Sequence, residues 1–217
     1  MSSHLIFHPK RATQDFCGVK VHFDRPGGNQ DPYVWNRQFL HSYCHITELK
    51  AVTPGDVNFW VSAERFRDFN ELTCDLVFVV ETRTPWREKN SVTADDPLVD
   101  SDLAYQDHYR WAYQHSFKRR TRYTLKADMS ASFQPQRRSG ELIDLLPELN
   151  RQGFSTSLLR TSMKKGFASK PMPIGLETAS LLFHYLDASA DIKLRGAQLQ
   201  AIRETTKPSG SHSRRKQ

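Results

Sequence analysis

Residues 52–81 constrain the fold of this chain more than any other stretch. They open on Val52-Thr-Pro-Gly-Asp56, a turn, and lead into Val57-Asn-Phe-Trp-Val-Ser62, which has the composition of a short aromatic strand. A charged loop follows, and then Leu76 to Val80 is apolar without interruption and ends in Glu81. Such a run predicts a strand covered on both faces, inside a sheet or small barrel. Along the aromatic strand, alternation puts Val57, Phe59 and Val61 on one face and Asn58, Trp60 and Ser62 on the other. The first set is wholly apolar and is the natural core face. The second set predicts a pocket wall, with Trp60 as a platform for a flat ring.

Around this segment, residues 5–7 and 19–23 are predicted strands separated by a Lys/Arg-rich loop, and 25–32 is a Gly/Pro loop. Helical spacing runs over 33–49 and 103–117, with a long polar loop over 84–102 between them. Residues 122–127 alternate like a strand, with Tyr123 and Leu125 on one face. Helices are predicted over 141–150, with Ser139 as a cap, and over 176–186. Strands and helices in this order predict an α+β fold.

The charge balance bears on partners. Lys and Arg number 31 against 24 Asp and Glu, a net charge of +7, while apolar residues make up only 38%. The excess is clustered at Lys118, Arg119, Arg120 and Arg122, at Arg137 and Arg138, and at Arg160, Lys164, Lys165 and Lys170. Basic runs of this kind suit phosphate backbones, although a solvated face is the commoner explanation for any single one. Nucleic acid, DNA or RNA, is therefore the expected partner. The three cysteines include no CxxC pair, which argues against a disulfide framework or a thiolate zinc site. No run approaches the roughly 20 apolar residues of a membrane span, and no leader-like segment is recognised. No membrane partner is expected, and the expected location is cytoplasmic.

Several constellations bear on chemistry. His41 and His45 would share a helical face, as would His108 and His115, with Asp75 or Asp107 to complete a metal site. Without a signature carboxylate, surface or capping histidines are the simpler reading, and no metal is expected. Asp56 with Glu81-Thr82-Arg83 has the layout of a magnesium-dependent nuclease. Arg83, however, stands where a titratable lysine would be needed. Ser155-Thr156-Ser157 is read as a turn. Trp35, Trp60, Trp86 and Trp111, with Tyr33, Tyr109 and Tyr123, are side chains on which bases stack, at about 1–3 kcal/mol per base.

Trp35-Asn36-Arg37, Phe39-Leu40, Gly55-Asp56, Phe59-Trp60-Val61-Ser62, the strand ending at Glu81, Asp95 to Asp107, Arg122-Tyr123-Thr124-Leu125 and Leu142 to Leu149 follow one another in a familiar order. Over residues 30–186 the chain resembles the PUA-like superfamily, and the EVE domain in particular. Tyr123 stands where that family has Trp, and 103–117 is an insertion. The resemblance implies a mixed β pseudo-barrel with flanking helices that holds a modified base in an aromatic pocket. Trp35, Asn36, Trp60 and Ser62 match positions that line it, with Tyr123 beside them.

The expected function is thus a non-catalytic nucleic-acid-binding module reading a modified or flipped-out base, with no cofactor. The ring would stack on Trp60 or Trp35, and Asn36 and Ser62 would bond its edge. Lys118, Arg119, Arg120, Arg122, Arg137 and Arg138 would hold the backbone. The rival readings are a metal-dependent nuclease or base-modifying enzyme built on Asp56, Asp75, Glu81 and the histidines, and an accessory protein using its basic face for assembly. The expected organisation is 1–29, N-terminal strands and loop; 30–186, the EVE-like domain; 187–206, a helical extension; and 207–217, a disordered basic tail.

Overall fold

Strands β5 (Val57–Ala63) and β6 (Thr73–Pro85) run antiparallel at the centre of a mixed sheet. The computed structural model describes residues 2–16, 18–23, 41–42, 51–85, 123–166, 169–196 and 198. The predicted helix over 103–117, most of the 84–102 loop and the 207–217 tail lie outside these residues. So does the predicted helix over 33–49 except at His41–Ser42, where the chain is a strand paired in the sheet and not a helix. From one end the sheet runs β10 (Met172–Ile174), β1 (Ser3–Pro9), β5, β6, β7 (Tyr123–Ala127) and β4 (His41–Ser42). Strand β1 is parallel to β5, and the other pairings are antiparallel.

The far edge of β6 is shared. β9 (Ile143–Asp144) pairs with Thr73 and Cys74, β8 (Phe133–Gln136) touches Val77, and β7 takes over from Val80. β11 (Ile192–Arg195) then pairs with β8. Among the described residues β10 and β4 do not meet, so the sheet is open and is not a closed barrel. With the helices α1 (Leu146–Arg151), α2 (Thr156–Met163) and α3 (Leu176–Ser189) among the described residues, the architecture is mixed α/β.

Both faces of the sheet are covered, as the apolar run in β6 predicts. Phe59 and Val61 of β5 pack with Leu5, Phe7, Val77 and Phe133 beneath Leu149, Leu159, Leu182 and Leu186 of the helices. Trp60 points the other way, into a second layer with Ile6, Leu76, Phe78, Leu125 and Leu194. Along β6 the alternation slips once. Trp60 opposes Leu76 but Val61 opposes Cys74, so Asp75 is an extra residue, a β-bulge that re-aims its side chain.

Local chemistry explains the boundaries. In α2, Ser155 caps by accepting from the Leu158 N–H, and Leu159 and Met163 are buried one turn apart, the spacing of a core-facing stripe. Helix α1 begins at Leu146, later than the 141–150 pattern predicts. Ile143 and Asp144 pair with β6 instead, and the Asp144 carboxylate accepts from the Leu72 and Leu146 N–H groups. Ser139 is therefore no cap. The predicted helical extension over 187–206 is corrected at Ile192–Arg195, where the chain leaves α3 after Ser189 and returns as β11; most of the remainder lies outside the described residues. The Lys/Arg-rich loop before Val19 contains β2 (Ala12–Phe16), which forms a separate hairpin with β3 (Val19–Phe23). No helix among the described residues is long and apolar enough to cross a membrane.

Candidate nucleic-acid interface

Of the expected ligand-binding residues, Trp35 and Asn36 lie outside the described residues, as do Lys118, Arg119, Arg120 and Arg122. Tyr123 begins β7, and its backbone pairs with Pro85. Trp60 is 0% exposed, its ring centroid 5.1 Å from that of Phe78 at 38°. Ser62 is 1% exposed, its Oγ 3.1 Å from Thr73 Oγ1. Asn58, the third residue of this face, places Oδ1 3.3 Å from His4 Nδ1. The face expected to be an open pocket wall is therefore closed. Its polar members bond within the fold, and its aromatic member is core.

The β2–β3 hairpin adds Val21, Ala12 and Val19 to this layer, beside Leu194 and Ile192 of β11, and polar side chains fasten it. Gln134 Oε1 accepts from the His22 N–H at 2.9 Å, and Nε2 donates to the His22 carbonyl at 2.9 Å and to the Asp75 carbonyl at 3.1 Å. Gln136 Nε2 donates to the Lys20 carbonyl at 2.8 Å. In β8, Phe133 faces the helices while Gln134 and Gln136 face the hairpin, the alternation of a strand between two environments. His22 Nε2 donates to the Gly140 carbonyl at 2.8 Å. Arg11 and the bulged Asp75 form an ion pair whose side chains are 1% and 0% exposed. Burial pushes the His22 and His4 imidazoles below their ordinary pKa, and lifts the Cys74 thiol well above its own.

Beside the hairpin lies a basic corner. Lys20 of β3 donates from Nζ to the Ser139 carbonyl at 3.1 Å, and so meets the exposed β8–β9 turn that carries Arg137 and Arg138. Arg137 donates to the Ser189 carbonyl at 3.0 Å, and the Arg138 N–H donates to Asp191 at 2.9 Å. Gly140 closes the turn at φ +78°, and a Cβ there would come within 2.9 Å of Lys20 Cβ. Only glycine fits that conformation and that approach without strain. Three cations from two distant segments thus share one exposed corner, with Glu141 and Asp191 beside them.

The other candidates have structural duties. Asp56 Oδ2 accepts from the Ser2 N–H at 2.9 Å and from the Thr53 N–H at 2.8 Å, closing the turn before β5. Glu81 is exposed and pairs with Lys126 at 2.8 Å. Arg160, from the third basic cluster, donates to the Phe69 carbonyl at 2.7 Å and fastens the β5–β6 loop to α2. That loop borders a polar cleft of about 340 Å³ lined by Lys10, Ser62, Glu64, Arg65, Asp68 and Asn70 among others. Among the described residues no three His, Cys, Asp or Glu side chains are grouped to hold a metal ion. Sequence reasoning missed Arg11, His22, Gln134 and Gln136. The alternation Phe133-Gln134-Pro135-Gln136 is the one signal that would have found two of them. Comparison of the chain with protein-family models, with curated proteins and with solved structures finds no match.

Proposed function

We propose that the protein is a non-catalytic nucleic-acid-binding module that holds phosphates at the Lys20, Arg137 and Arg138 corner and reads a base with aromatic residues of its sheet. The observation carrying this reading is the convergence of Lys20 with Arg137 and Arg138 at one exposed, glycine-closed turn. Charge fixed on a rigid turn positions a backbone without specifying sequence. The PUA-like pseudo-barrel belongs to the same proposal. It is supported by the mixed sheet branching around β6, with helices on one face.

Binding measured by fluorescence anisotropy across a salt series tests it. Each phosphate contact contributes about 0.7 to the log–log salt slope on single strands and about 0.9 on duplex. Arg137→Gln with Arg138→Gln is expected to reduce the slope by about 1.4 or 1.8 accordingly. An unchanged slope would remove the corner from the interface. Replacing Lys118, Arg119, Arg120 and Arg122 together puts the other basic run to the same measurement. A binder also keeps its affinity in chelator and leaves the strand uncut.

A further inference from the structure

Among the described strands, only β2 and β3 have no pairing with the main sheet. Of the described side chains of this hairpin, those in the second layer are Val21 and, partly buried beside it, Ala12 and Val19. A polar hold stands beside these contacts: Gln134 and Gln136 on the β3 backbone, His22 and Lys20 on the β8–β9 turn, and Arg11 on Asp75. Bonds of this kind are exchanged for water when a segment lifts, and a buried ion pair regains hydration. Lifting the hairpin therefore costs far less than parting β5 from β6, whose bonds and apolar faces are lost together. Trp60 belongs to the same apolar layer as Val21.

We propose that the β2–β3 hairpin is a cover over the Trp60 face of the sheet, held by this polar latch, and that its lifting presents the indole to the planar ring of a nucleobase. The inference rests on the nucleic-acid reading above and adds how a fully buried tryptophan becomes available. His22 fits the role. Desolvation keeps it neutral against the Gly140 carbonyl and Asp75, which favour its charge, and together with Lys20 and Arg11, which oppose it. Acid thus adds a charge beneath the cover.

Hydrogen exchange followed by mass spectrometry on the full chain tests the cover, in wild type and in Gln134→Leu and Gly140→Ala. The first variant strips the His22 backbone of its partner, and the second presses on Lys20. Expected in wild type is faster exchange over 12–23 than over 57–63. In each variant a further rise of at least tenfold is expected over 12–23, with β5 and β6 unchanged. The preference for oligothymidylate over an abasic strand of equal length should rise at least threefold. A single rate for hairpin and β5 in all three proteins overturns the cover. A loosened hairpin with no change in preference overturns the presentation of Trp60. If neither strand binds any of the proteins, the nucleic-acid reading and the ligand assignment fail together, while the exchange rates still decide whether the hairpin lifts. Should Gln134→Leu not fold, wild type and Gly140→Ala carry the same comparison.

Discussion

Trp60→Ala is expected to act on folding first. The side chain is 0% exposed and packs against Phe78 in a layer that includes Ile6, Leu76 and Leu125. A tryptophan buries roughly 150–250 Å², and at about 25 cal/mol per Å² that area corresponds to about 4–6 kcal/mol. Alanine recovers a small part of it, and partial collapse of the cavity recovers more. The expected loss is therefore about 3–5 kcal/mol. A domain with the usual stability of about 5–15 kcal/mol would be left marginal or would lose its fold. Trp60→Phe keeps a ring against Phe78 and should cost about 1–2 kcal/mol. Urea unfolding reads both as lower midpoints at an unchanged slope. A loss below about 1 kcal/mol for the alanine variant would mean that the indole faces solvent, and the account of the second layer would be wrong. Because alanine disturbs the core, its binding data alone say nothing about stacking. The phenylalanine variant is the one to carry into binding assays.

Asp75→Leu alone should cost about 3–5 kcal/mol, because it removes the buried carboxylate that faces the Arg11 guanidinium, whereas Arg11→Met with Asp75→Leu should melt near or above wild type. A single variant losing less than about 1 kcal/mol would show that water reaches the pair. Stability should also depend on pH through His4 and His22, both held below their ordinary pKa chiefly by desolvation. His4 is faced by Asn58, Ser2 and Asp56, and His22 by Gly140, Asp75, Lys20 and Arg11. An unfolded histidine takes up its proton near 6.5, before either folded one does, so the unfolded chain binds more protons below that point. Stability is then flat above about pH 7 and falls as pH drops through 6.5 towards the lowered folded values, by at most about 1.4 kcal/mol per pH unit for each histidine. Unfolding at pH 7.5, 6.5 and 5.5, with His22→Gln as a control, checks the sign. A profile that rises on acidification contradicts it.

Much of the central sheet was legible. The alternation in Val57 to Ser62 and the apolar run from Leu76 located β5 and β6, and their coverage on both faces, because a strand displays its two environments in period two. The same alternation misled at Trp60. Asn58 and Ser62 made that face look open, yet each has a partner inside the fold, His4 and Thr73. Period two separates two faces without saying whether a polar one is wet. β8 was invisible because two glutamines and a proline in four residues resemble a loop. Its polar side chains are buried against a hairpin whose first strand lies in a Lys/Arg-rich stretch. The helical extension expected over 187–206 fails at Ile192–Arg195, because pairing with β8 decides the conformation there. The basic clusters were legible as charge. That Arg160 fastens a loop while Arg137 and Arg138 stand on an exposed turn is a matter of tertiary contact.

The place of β1 has a consequence for how the chain is made. This early strand ends up inside the sheet, between β5 on one side and β10 on the other, with Ser3 opposite Ile174. At a synthesis rate of roughly 5–20 residues per second, about 10–30 s separate the emergence of its two neighbours' furthest member from its own. Leu5 and Phe7 belong to one apolar layer and Ile6 to the other, so the edge left unpaired during that wait belongs to a strand that is apolar on both faces. A nascent chain halted before β10 would therefore present a greasy, half-paired strand to whatever meets it at the ribosome exit, and holdase chaperones bind segments of that kind.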